Sequence, residues 1–155
     1  MLIRKGTQQD LADIVAFNQA MAFETEGLEL NADILTQGVQ TLLKQPSRGF
    51  YLVVEKAGEI AASLMVTFEW SDWRAKDYYW IQSVYVKPAF RRQGLYRALY
   101  QKVKDLAAAD NSAASFRLYV EHDNHAAQHT YKALGMEQSH YLMFEEKLMF
   151  EEKVK

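Results

Sequence analysis

The stretch VYVKPAFRRQGLYRALY, residues 84–100, sets two adjacent arginines and a glycine between a strand-like run and a helix-like run. Pro88 ends the strand, and Leu95, Leu99, Val103 and Leu106 then recur on one helical face from just past Gly94. The N–H groups of a first helical turn lack partners within the helix and point the same way, and the helix dipole adds partial positive charge there. Arg91, Arg92 and Arg97 add full charges, and Gly94, without a side chain, lets a bulky phosphate approach the backbone. This pattern can capture an anion the size of a pyrophosphate. Over so short a span, a turn glycine beside solvated arginines reads the same way, so the rest of the chain must discriminate.

A second informative stretch is YVEHDNHAAQHTYKALGM, residues 119–136. Asn124 can cap a helix running through Leu134, with Gly135 where a left-handed C-terminal residue is wanted. Tyr131 lies within that helix and carries a hydroxyl with a reference pKa of about 10. His125 and His129 are four apart, with His122 nearby, but the residues between the pair are Ala-Ala-Gln rather than the acid of a zinc hydrolase motif, so no metal is expected.

Together, the two segments resemble the GNAT superfamily of N-acetyltransferases. The family signature of Arg or Gln, two residues, Gly, one residue, Gly or Ala follows its fourth strand; here it reads Arg91-Arg92-Gln93-Gly94-Leu95-Tyr96, with Tyr96 departing at the last position. Asn124, Ala127, Tyr131, Gly135 and Met136 occupy the spacings of the later family segment. The resemblance runs from Leu2 to about Phe144. It implies an α/β (α+β) fold: a GNAT-like mixed, mostly antiparallel, twisted sheet with a splayed central strand pair, flanked by about four helices.

The resemblance also implies acetyl transfer from acetyl-CoA, without a metal, to a primary amine attacking directly in a ternary complex. Backbone groups of Val84, Tyr85 and Val86 would bind the pantetheine arm and help polarise the carbonyl. The segment from Arg91 and Arg92 through Gln93, Gly94, Leu95, Tyr96 and Arg97 would hold the pyrophosphate. Asn124 and Ala127 would complete the coenzyme site, and Tyr131 would be the general acid for the departing thiolate. A primary amine has a reference pKa of about 10.4, so its deprotonation needs help. The strand position where many relatives carry Glu is Gln82, which cannot accept that proton. Glu24, Glu26 and Glu121 are the candidate bases, with Glu69, Asp72 and His122 also in reach of the argument; each carboxylate also reads as ordinary surface charge.

Trp70, Asp72, Trp73, Trp80 and Gln82, with Glu26, are candidate acceptor-binding residues, the aromatics walling a pocket in which acids attract a cationic amine. Strand alternation lets at most about half of such a cluster line one cavity. The missing strand glutamate and Tyr96 also leave room for a catalytically inactive acetyl-CoA-binding sensor of the same fold. An open groove would favour a peptide acceptor and a closed aromatic pocket a small amine.

The elements that must position these residues are legible in outline. A strand at Leu2–Arg4 precedes a helix announced by Thr7 and Asp10, and Asn31 caps a second helix ending before Pro46. FYLVVE, the turn Lys56–Glu59 and IAASLMVTFEW read as a hairpin, YYWIQSVYV as a third, central strand, and Phe116–Glu121 as the strand completing a βαβ unit. LMFEEK occurs twice in succession, at Leu142–Lys147 and Leu148–Lys153; the first copy is expected to pair in the sheet and the duplicated residues 148–155 to form a charged tail or an extended edge.

With 155 residues, 49% of them hydrophobic, the chain suits one acetyltransferase domain spanning 1–155. A net charge of -2 disfavours nucleic acid as a bulk partner. The absence of cysteine excludes disulfides and thiol chemistry and agrees with a cytoplasmic location. No apolar run predicts a membrane span. The expected partner is a small-molecule or peptide amine, and an aromatic C-terminal strand is a candidate edge for a homodimer.

Overall fold

The computed structural model describes residues 1–148. Among them are five strands and four α-helices: β1 Leu2–Lys5, α1 Leu11–Glu26, α2 Ala32–Lys44, β2 Gly49–Lys56, β3 Glu59–Ser71, β4 Lys76–Val86, α3 Leu95–Asp110, β5 Ala113–Arg117 and α4 His125–Ala133. Contacts gather the chain into two compact units, Met1–Leu118 and the residues from Tyr119 onward.

In the first unit the strands form one mixed sheet in the order β1-β2-β3-β4-β5, antiparallel except for the parallel β4–β5 pair. Thr7 and Asp10 form the expected capping box: Asp10 Oδ2 accepts from the Thr7 N–H at 2.8 Å and Thr7 Oγ1 from the Gln9 N–H at 3.3 Å. Their first product is a short 3₁₀ turn, Gln8–Asp10, that leads into α1. Asn31 Oδ1 caps α2 through the Ile34 N–H at 3.0 Å. The β2–β3 connection is Ala57-Gly58, both with positive φ, the two-residue geometry whose twist matches a hairpin.

One sheet face packs on α1 and α2 through Ile14, Phe17, Val39, Leu42, Tyr51, Val53, Ile60 and Tyr85. The other buries Leu52, Val54, Leu64, Val66, Tyr79 and Ile81, with Leu95, Leu99 and Val103 of α3 also buried. Phe116 of β5 links Tyr79 to Tyr100 of α3 edge to face, with both ring separations 6.0 Å. Leu99 and Val103 are fully buried, each worth about 2 kcal/mol of apolar transfer, which fixes the helix that the arginine loop opens onto.

Two expectations are corrected. β5 covers Ala113–Arg117 rather than Phe116–Glu121. Parallel pairing to β4 starts where Asn111, at φ +49, ends α3, so Ala113, Ala114 and Ser115 enter the ladder through their backbones despite a loop-like composition. The first LMFEEK copy forms no strand among the described residues, and Leu142 and Phe144 are exposed. Three apolar residues followed by three charged ones give neither strand face a continuous apolar surface. The second copy lies, apart from Leu148, outside the described residues.

The second unit holds α4. Asn124 Oδ1 accepts from the Ala127 N–H at 3.1 Å, and Gly135, at φ +97, ends the helix with the Met136 N–H donating to the Tyr131 carbonyl at 3.0 Å. No helix among the described residues is long and apolar enough to cross a membrane.

Candidate active site

The site begins where two strands part. β4 pairs with β5 only from Asp77↔Ala113 to Trp80↔Arg117, whereas β4 continues to Val86. From Ile81 to Val86 one edge of β4 therefore has no strand beside it among the described residues. Its other edge stays on β3, with an irregularity: Met65 faces Gln82 but Ser63 faces Tyr85. An extra residue bulges out at Ser83-Val84, and Ser83 takes φ +52 to make it.

Beyond Val86 the chain turns through Pro88–Phe90 into the arginine loop. Arg92 has φ +63 and Gly94 φ +76, two left-handed residues immediately before α3. Such a conformation aims successive N–H groups toward one point, and among the described residues no side chain caps the helix. A Cβ on Gly94 would meet nothing within 4 Å, so the space over the helix start is open to a ligand. Arg92 and Arg97 are exposed beside it. Lys56 joins them, its Nζ donating to Gln93 Oε1 at 2.6 Å. An open, cationic, N–H-lined cradle of this kind fits a pyrophosphate. Leu95 is buried in the core, so only its backbone faces such a ligand, and Tyr96 is half-buried.

Arg91 is used differently. Its Nε donates to the Val86 carbonyl at 2.9 Å, and its terminal nitrogen pairs with Glu24 Oε1 at 2.8 Å. Glu24 Oε2 accepts from the Tyr85 hydroxyl at 2.5 Å. The bonds from Tyr85 and then Arg91 hold the Glu24 carboxyl below the usual carboxylate range. A carboxylate so stabilised is a weaker proton acceptor than an ordinary one. The other expected bases, Glu26 at the end of α1 and Glu121 in the second unit, are exposed.

The aromatic cluster is divided by the sheet. Register places Tyr78, Trp80 and Gln82 opposite Glu69, Thr67 and Met65 on the face that carries α1. Gln82 Nε2 donates to Thr67 Oγ1 at 2.7 Å, and Trp80 Nε1 to Glu69 Oε1 at 2.8 Å. Arg117 also reaches Glu69, at 3.2 Å, and stacks 3.5 Å over the Tyr78 ring. Trp70 leaves β3 on the opposite face, and Trp73, 94% exposed, sits with Asp72 in the hairpin turn. Trp80 and Gln82 are thus brought together, while Trp70, Asp72 and Trp73 do not join them.

In the second unit, Asn124 commits its Oδ1 to the cap, leaving its amide N–H₂ to offer a ligand, and Ala127 donates its N–H to that cap. Tyr131 is half-buried, and burial pushes its phenol above the ordinary value. Among the described residues no group of three metal-ligating side chains converges. Three contributors escaped the sequence reading: the Ser83 bulge, Lys56, and the partnership of Glu24 with Arg91. Each depends on residues far apart in sequence or on a backbone irregularity with no signature residue.

The family model of the acetyltransferase (GNAT) family matches residues 11–136. Thialysine N-epsilon-acetyltransferase of Bos taurus is 37% identical over 68 residues, a match covering 44% of this chain and only 39% of that one. The Sus scrofa enzyme of the same name is 29% identical over 144 residues, 87% of this chain and 83% of that one. A solved structure described as a possible acetyltransferase, from Clostridium difficile, superposes with TM-score 0.91 at 40% identity and covers 96% of this chain and 97% of its own. Another, from Clostridium acetobutylicum and solved with acetyl-CoA, shares the fold at TM-score 0.74 and 18% identity, covering 93% and 95%. The strand that parts from its neighbour, the left-handed loop and the matched segment agree, and the chain belongs to the GNAT acetyltransferase family.

Proposed function

We propose that this chain transfers an acetyl group from acetyl-CoA to a primary amine by direct attack in a ternary complex, with residues 1–155 acting as one domain. The observation that carries the reading is continuity: the edge of β4 that no strand covers among the described residues leads, through one turn, into the cradle before α3. A pantetheine arm and a pyrophosphate are joined in the same way.

Acetyl-CoA supplies the thioester carbon that the amine attacks. Backbone groups of Val84, Tyr85 and Val86 bind the arm by strand-like hydrogen bonds and orient a donor toward the carbonyl oxygen. The N–H groups from Gln93 to Arg97 hold the pyrophosphate, with Arg92, Arg97 and Lys56 adding charge. Asn124 and Ala127 complete the coenzyme-binding set. Tyr131, kept protonated by its raised pKa, gives its proton to the departing thiolate. Glu26, Glu121 or ordered water takes the proton from the amine, and the face bearing Trp80 and Gln82 receives the acceptor. The related enzymes named for N-epsilon acetylation of thialysine support a small amine as that acceptor.

The test is release of free thiol from acetyl-CoA with thialysine and other amino acids, polyamines, aminoglycosides and peptides. Steady release with at least one amine is expected. Tight acetyl-CoA binding with no release across the panel would overturn the reading.

A further inference from the structure

One carboxylate fastens the end of α1 to the entrance of the arginine loop. Glu24 uses both oxygens, one for the Tyr85 hydroxyl at 2.5 Å and one for Arg91 at 2.8 Å. Tyr85 is buried and packs its ring 5.3 Å from that of Phe17 on α1, so its hydroxyl is a fixed point. Arg91 is held a second time by the Val86 carbonyl and a third time by the Tyr85 ring, 5.5 Å from its guanidinium. A guanidinium pinned on three sides serves as a strut rather than as a charge free to swing toward a phosphate.

What the strut holds is the backbone just before Arg92. That residue sits at φ +63, a region that costs a non-glycine residue about 1 kcal/mol or more and persists only where its surroundings impose it. If it relaxed, the N–H groups that follow would turn away from their common point. We propose that Glu24 is a positioning residue and not the proton acceptor: through Arg91 it holds the Arg92–Gly94 loop in the form that receives the coenzyme's pyrophosphate, coupling α1 to that site. The inference rests on the acetyltransferase reading and assigns α1 a part in coenzyme binding. The depressed pKa of Glu24 agrees with it.

The experiment measures the affinity of the full chain for coenzyme A by calorimetry, without acceptor, for the unaltered protein, Glu24→Gln, Arg91→Lys and the double variant. Each single variant is expected to weaken binding about three- to tenfold, and the double variant to be no more than about twofold weaker than the worse single one, because both break one network. Arg91→Lys keeps the charge but loses the planar fork, so retained affinity there would overturn the proposal. Unchanged or tighter binding in Glu24→Gln, or fully additive losses, would overturn it as well. The pH profile of kcat/KM for the amine separates positioning from catalysis. In Glu24→Gln the acid limb is expected to persist; its disappearance with coenzyme affinity intact would make Glu24 the base. If the unaltered protein binds no coenzyme A, the acetyltransferase reading itself fails, a result distinct from variants that bind as the unaltered protein does.

Discussion

Gln82 and Tyr85, three positions apart on β4, project from the same face of the sheet. Their partners on β3, Met65 and Ser63, are two apart and so share a face by ordinary alternation. The odd residue is absorbed at Ser83-Val84. Without it Tyr85 would turn to the α3 side, and neither its ring contact with Phe17 nor its bond to Glu24 could form. The bulge therefore reverses the facing of the strand between Gln82 and Tyr85.

Ser83 makes that bulge at φ +52, where a β-branched side chain is strained. Ser83→Val is expected to lose about 1–2 kcal/mol of stability in urea unfolding, and Ser83→Gly to be neutral or slightly stabilising. Equal stability of all three proteins would show that the bulge is not imposed at this residue.

Gly94 separates backbone preference from ligand space. Its φ of +76 disfavours any side chain, but a Cβ there meets nothing within 4 Å. Gly94→Ala should therefore cost only about 1 kcal/mol in stability. The methyl group would occupy the approach of a phosphate, so coenzyme A affinity should fall more than about tenfold, a larger effect than the stability change. A loss of affinity no greater than the loss of stability would argue against close phosphate approach at this residue.

How much of this was legible in the sequence depended on whether the signal was local. Thr7 with Asp10, Asn31 and Asn124 announced their caps because capping is settled within four residues. The Gly94 loop and α3 were legible for the same reason. β5 was misplaced because a parallel strand is fixed by its partner's backbone, and Ala113–Ser115 carry no strand signature. The partition of the aromatic cluster could be bounded by alternation, but its register, Trp80 to Thr67 and Trp70 to Asp77, required the pairing itself. Glu24 looked like any carboxylate near a helix end. Only the fold brings Arg91, far along the chain, against it.

Asp10 predicts the acid limb of stability. It is 3% exposed and accepts from Arg4 at 2.8 and 2.9 Å as well as from the Thr7 N–H, and the Arg4 bond chiefly holds its carboxyl below the ordinary value. With the folded pKa depressed, the stabilisation is full above the unfolded value of about 3.9 and is lost as pH falls through the folded value. Because Arg4 is about a third exposed, solvent screens part of the attraction, and Asp10→Asn should cost about 1–3 kcal/mol at pH 7. The variant should also show a shallower loss of stability below pH about 4 in denaturant titrations. An unchanged slope would remove Asp10 from the acid transition.

Tyr131 carries the sharpest prediction about chemistry. A general acid must be protonated when the thiolate departs, and burial raises the phenol above its ordinary value of about 10. The phenol thus stays protonated through the neutral range, and loss of its proton should lower kcat only at pH above about 10. Removing the hydroxyl in Tyr131→Phe should reduce kcat about a hundredfold or more and abolish that alkaline limb. Coenzyme A affinity should change by less than about twofold, because a phenylalanine ring keeps the aromatic bulk of the side chain. Unchanged kcat would assign the proton to another donor, and a parallel collapse of coenzyme affinity would mark Tyr131 as a binding residue instead.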